Sequence, residues 1–209
     1  MKFYGQGKPP VDRILYESYF KDKYNGTCIE CGALDGKRGS CCKFFEEFMN
    51  WKSINIEASP HLYQMLIKNR PSSININKAL SSRKGTRIFT HAIHPQLGKY
   101  FGNGSLKHTK EHLTRLKKQG CKFEKYKVEI TTIYNIIEDL NLKTIDLFTL
   151  DVEGHELEVI KTLKKCKTMP KVICVEHANV DESVLHSEMK TLGYVLDQKI
   201  AANSYFVGL

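Results

Sequence analysis

The sequence predicts an α/β fold: a Rossmann-like, doubly wound and mostly parallel sheet with a C-terminal antiparallel hairpin. Three observations predict it. Short apolar runs of strand length alternate with helical apolar patterns between residues 27 and 80. The alternation returns over 145–192, and the chain then closes on two strand-like runs, YVLDQK and SYFVGL.

Each element has its own signal. TCIECGAL, 27–34, reads as a buried strand running into a turn, and Cys41, Phe44, Phe45 and Phe48 then recur at helical spacing over 40–50. KSINIEA, 52–58, is the second strand. Pro60 suits the first turn of a helix carrying Leu62, Met65 and Leu66. SSININKAL, 72–80, reads as a third strand. TRIFTHAI, 86–93, and KFEKYKVEI, 122–130, read as strands around a glycine-containing loop, 95–106, and a short helical stretch. A helix over 131–141 begins at a threonine. IDLFTLD, 145–151, is a buried strand, HELEVIKTLKK a helix, KVICVEH, 171–177, another strand, and a helix near 181–192 ends at Gly193.

The 209 residues suit one domain, with 91–126 as an insertion or lid inside it. A hydrophobic share of 41% with ten Phe and ten Tyr is a globular composition, not a disordered one. No run is long enough to span a membrane, and KFYGQGKPP after Met1 lacks the apolar centre of a secretory signal, so a cytoplasmic location is expected. The seven cysteines include Cys28-x-x-Cys31, but that pair lies in an apolar strand-like run, and core thiols are expected rather than a zinc site. His91, His94, His108 and His112 lack the HExxH order of zinc proteases. The charge of +9 is spread along the chain without a block of five like charges, which reads as a basic, solvated surface.

Ligands of such sheets lie beyond the carboxyl ends of the strands. Acidic residues gather there: Glu30 and Asp35 around Gly32 in ECGALDG, Glu57, Asp151 and Glu153, and Glu176 with His177 beside it. The GxGxxG pyrophosphate fingerprint is missing. A glycine loop followed by an acidic second strand end, Glu57, suits a ribose without a pyrophosphate, which favours S-adenosylmethionine over NAD. Glu156 reads as a cap of its helix, and His155 reads equally as outward-facing or as part of the site.

Together, GQGKPPVDRILYESYF, NGTCIECGALDG, NWKSINIEASPHLYQMLIKNRP, INKAL, IDLFTLDVEGHELEVIK, VICVEH and NSYFVGL resemble the FkbM-type family of S-adenosylmethionine-dependent methyltransferases. The resemblance implies a class I methyltransferase-like fold and methyl transfer to oxygen, often a hydroxyl of a sugar or glycan. It implies cofactor contacts at Gln6, Asp12, Glu30, Gly32, Ala33, Asp35, Glu57, Ser59 and Asp151. Cys31 departs from the aliphatic residue more usual in the first loop, and 91–126 resembles little in the family.

A sugar hydroxyl is a weak nucleophile, so a base or a metal is expected. The candidates for catalysis are Asp151, Glu153, Glu176 and His177. Asp151, Glu153 and Glu176 form the candidate set for Mg or Mn. The alternatives are a nucleic-acid methyltransferase using the basic surface, or a catalytically silent binding protein of the same fold. The sequence leaves open whether the chain is a monomer or a small homo-oligomer.

Overall fold

A computed structural model describes residues 1–209. Helix α1 (Val11–Leu15) runs into one π-helical turn, Tyr16–Phe20, and leads to strand β1 (Thr27–Cys31). There follow α2 (Lys43–Met49), β2 (Lys52–Ile56), α3 (Pro60–Asn69) and β3 (Ile74–Ile76). An inserted layer holds β4 (Ala79–Leu80), β5 (Gly85–Ile93), β6 (Gly104–Ser105), α4 (Lys110–Lys118) and β7 (Lys122–Thr131). Then come α5 (Ile133–Asp139), β8 (Ile145–Leu150), α6 (Glu156–Ile160), β9 (Pro170–Glu176), α7 (Glu182–Thr191), β10 (Tyr194–Ile200) and β11 (Asn203–Gly208).

The main sheet has the order β10-β11-β9-β8-β1-β2-β3. Its strands β3, β2, β1, β8 and β9 are parallel, while β11 runs antiparallel to both β9 and β10. Helices cover both faces. One core joins α5, α6 and α7 to the sheet through Ile133, Ile137, Val159, Ile160, Leu185 and Met189. The other packs the N-terminal helices through Leu15, Phe20, Phe44 and Phe45, against which Trp51 also sits. The free cysteines are mostly buried, as small core thiols. No helix is long and apolar enough to cross a membrane.

Two readings of the sequence differ from the fold. The run 72–80 is not one strand: β3 pairs with β2, but β4 leaves the main sheet and pairs with β7. The second sheet, β4-β7-β5-β6, is built on the long antiparallel pairing of β5 with β7. The amphipathic stretch at 11–20, given no element from the sequence, is helical and supplies much of one core.

Register aligns the strands at their carboxyl edge. Ile76, Ile56, Cys31, Leu150 and Val175 pair successively across the sheet. The next residues, Asn77, Glu57, Gly32, Asp151 and Glu176, therefore lie along one line where the backbone leaves the sheet.

Behind that line Arg70, 1% exposed, holds the loops in place. Its guanidinium donates to the Gly36 carbonyl and to the Ser40 and Ser53 hydroxyls, pairs with Glu46, and lies 3.8 Å from Glu30. Removing it strands a buried carboxylate. Arg70→Met is expected to lower unfolding free energy by about 3–5 kcal/mol, read as a lowered midpoint in urea.

Candidate active site

Gly32 fixes how closely the first loop approaches the fourth parallel strand. Its φ is +86°, and a Cβ there would come to 1.9 Å from the Asp151 carbonyl oxygen. The close approach is secured by the Asp151 N–H donating to the Cys31 carbonyl, 3.1 Å, and the Gly32 N–H donating to the Ile56 carbonyl, 3.0 Å. Only glycine lets these two backbones meet so closely at the rim of the space above the strand ends. That space is a cavity of about 420 Å³, of the size that holds a small-molecule ligand.

Glu57 forms one end. It is buried, and its two oxygens accept from the Leu34 N–H at 2.9 Å and the Ser59 N–H at 2.7 Å. Each oxygen keeps a second lone pair for a ligand hydroxyl. At the other end Asp151, Glu156 and Glu176 bring carboxylate oxygens within 4.8 Å of one another. Glu156 caps the turn before its helix, accepting from the Val152 and Gly154 N–H groups at 2.9 Å each. The Glu176 Oε2 is buried with no partner.

Burial raises all four. Asp151 reaches about 6, Glu57 and Glu156 about 7, and Glu176 about 8. Mutual repulsion adds to burial, with Asp151 raising each of the other three. His155 lies on the same wall, buried rather than outward, its Nε2 3.1 Å from the Ser81 hydroxyl. Burial lowers its pKa to about 4, so the ring is neutral.

Several expected site residues stand elsewhere. His177 is turned from the cavity toward the Ser204 hydroxyl, 3.0 Å from Nδ1, because consecutive strand residues face opposite sides. Glu153 lines the cavity but does not join the acidic trio, so the candidate metal set becomes Asp151, Glu156 and Glu176. Its backbone is left-handed, φ 58°, and its carboxylate accepts from Asn179 at 2.8 Å and faces His112 at 3.5 Å.

Gln6 lines the cavity, whereas Asp12 lies behind it and accepts from the Tyr4 and Gly5 N–H groups. Glu30 is turned to the opposite face, toward Ser40 and Cys41. Asp35 closes its own turn on the Lys37 and Arg38 N–H groups, and Ser59 caps α3 at Leu62. Ala33 is buried in the loop. These five shape the cradle from outside the main cavity. His91 and His94 direct ring nitrogens to Lys99 and to the Gln96 N–H, while His108 and His112 both bond to Asn103, so the four do not form one metal set.

The roof comes from the inserted layer: Phe89, His91, Leu97 and Tyr100–Gly104 line the cavity. Arg38 donates to the Tyr100 carbonyl, and Gly102 packs on Leu34. The sequence marked 91–126 as a lid and weighed His155 as part of the site, but gave no sign of Phe89 in the roof or of Ser81 as the partner of His155.

Residues 30–196 match the methyltransferase FkbM domain. The chain belongs to the FkbM methyltransferase family. The match makes residues 30–196 a methyltransferase-type domain. The FkbM methyltransferase of Methylobacillus flagellatus KT has the same fold, with a TM-score of 0.57 and 11% identity over 95% of this chain and 48% of that one. The chain thus spans about half the length of that protein. Weaker likenesses are the fibrillarin pre-rRNA processing protein of Methanococcus jannaschii (TM-score 0.49, 12% identity, 97% of this chain and 74% of that one) and the precorrin-6y C5,15-methyltransferase of Geobacter metallireducens GS-15 (TM-score 0.46, 12% identity, 99% and 92%). No curated protein matches the chain.

A carboxyl raised in the fold binds its proton more tightly folded than unfolded. Its stabilising contribution is complete below the unfolded carboxylate range and is lost as pH rises through the folded values of about 6 to 8. The Tm of the ligand-free protein is therefore expected to fall between about pH 5 and about pH 8. Glu176→Gln, which cannot ionise, is expected to flatten the fall and raise Tm at the upper end. A Tm that rises across the interval contradicts this.

Proposed function

We propose that this FkbM-family domain transfers a methyl group from S-adenosylmethionine to a hydroxyl of a sugar or glycan. One observation carries the reading. A single cavity is lined by Glu57, whose oxygens keep free lone pairs, and by Asp151 and Glu176, with the Glu156 carboxylate close to the latter two. The cofactor fits this donor set on two grounds. The Gly32 backbone lines the cavity with no Cβ, where a side chain would collide with the Asp151 carbonyl, and the buried, unpartnered Glu176 oxygen awaits a cation or a donor.

When bound, S-adenosylmethionine supplies an electrophilic methyl on a positively charged sulfur. The chain's own residues do the rest. Glu57 accepts the ribose hydroxyls while remaining fixed by two backbone N–H groups. Gln6 and Asp151 serve the amino-acid end of the cofactor. Positive charge in the cavity favours ionised carboxylates and so readies Glu176 to take the acceptor's hydroxyl proton. Asp151, Glu156 and Glu176 would also hold a hard divalent ion such as Mg or Mn, which would lower the pKa of a bound hydroxyl. The inserted layer over 91–126 closes the cavity from above and serves as the acceptor lid.

Calorimetric titration with S-adenosylmethionine, with and without Mg or Mn, tests the cofactor half. One-to-one binding is expected, weakened about 10- to 100-fold by Glu57→Ala through lost charge-assisted hydrogen bonds. In a screen of sugars and oligosaccharides, Glu176→Gln is expected to lower turnover about 10²- to 10⁴-fold while cofactor binding persists. Well-folded protein that binds no S-adenosylmethionine contradicts the proposal.

A further inference from the structure

His91 has no part in the chemistry above, yet it lines the cavity and holds a buried ring nitrogen without a partner. It lies in β5, is 0% exposed, and lines the roof. Its Nε2 is 3.0 Å from the Lys99 carbonyl oxygen. A carbonyl can only accept, so Nε2 must carry the ring proton. In the neutral ring Nδ1 is then an acceptor, and it is buried without a partner. Burial also lowers the ring's pKa and keeps it neutral. Gly104, which pairs with His91 across the strands, lies beside Nδ1: a Cβ there would stand 3.4 Å from it. No side chain at that position covers the lone pair.

The surroundings of His91 tell which end of a ligand it meets. Phe89, two residues away and on the same face of β5, shares a small apolar cluster with Ala58, the residue after Glu57. His61, in the first turn of α3, is near enough to act electrostatically on His91. The roof residue Gly102 packs on Leu34, whose N–H donates to Glu57. His91 thus belongs to the Glu57 end of the cavity. Ala58, Leu62, Phe89 and Leu106 give that end apolar walls, which suit an aromatic base.

We propose that His91 Nδ1 accepts a hydrogen bond from the exocyclic amino group of the adenine base, so that His91 selects a 6-aminopurine over a 6-oxopurine. The inference rests on reading the cavity as the S-adenosylmethionine site. A 6-oxo group would place one acceptor against another and leave the buried nitrogen unpaired.

The test is calorimetric binding of S-adenosylhomocysteine and of S-inosylhomocysteine, which carries oxygen in place of the amino group. Wild-type protein is expected to prefer the adenosyl compound by about tenfold or more. His91→Gln keeps a donor for the Lys99 carbonyl but moves the acceptor away from the Nδ1 position, and is expected to bring the ratio close to one. His91→Asn places an amide oxygen near the Nδ1 position and is expected to retain a preference. The wild-type ratio needs no variant, so a folding defect cannot mask the result. Equal wild-type affinities, or a His91→Gln ratio equal to that of the wild type, overturn the assignment. A wild-type protein that binds neither compound instead overturns the reading of the cavity on which it rests.

Discussion

Crowded negative charge at the carboxyl edge is the constraint that the rest of the site answers. Asp151, Glu156, Glu176 and Glu57 are withdrawn from water at or beside one cavity, where Asp151 makes ionisation of the other three harder and Glu156 adds to the effect on Glu176. Such an arrangement is costly unless backbone donors, protons or a cation offset it. The fold supplies the first: the Leu34, Ser59, Val152 and Gly154 N–H groups all point at these carboxylates. It leaves the rest to protons and a ligand.

The crowding depends on backbone geometry more than on side-chain packing. Five parallel strands end in register, so the residues that follow them share one line. Gly32 then lets two loops come together closer than any Cβ would allow. Arg70 stabilises the far side of the same loops, where Glu30 and Glu46 would otherwise repel. Cradle and support thus lie on opposite faces of one turn.

Much of this could be read from the residues because it is local. Apolar runs of strand length located the parallel strands, and a glycine or a carboxylate immediately after four of the five marked the edge, Asn77 after β3 being the exception. Side-chain direction could not be read so well. Glu176 and His177 both looked reactive, but neighbours on a strand face opposite sides, so only one enters the cavity. Glu156 keeps its expected capping role and also stands in the acidic trio in place of Glu153, whose left-handed backbone residue type alone does not announce. The second sheet was hidden for another reason: β4 finds its partner β7 some fifty residues later, a pairing no local pattern encodes. The roof over the cavity, including His91, is set by the pairing of β5 with β7 and β6 in the same sheet.

The central claim is that these carboxylates are held partly protonated until a cationic ligand arrives. Proton release on binding measures this directly, by calorimetry at about pH 7 in two buffers of different ionisation enthalpy. S-adenosylmethionine, with its charged sulfur, is predicted to release more protons than S-adenosylhomocysteine, which lacks that charge. Equal release by the two ligands, or none by either, would contradict the account.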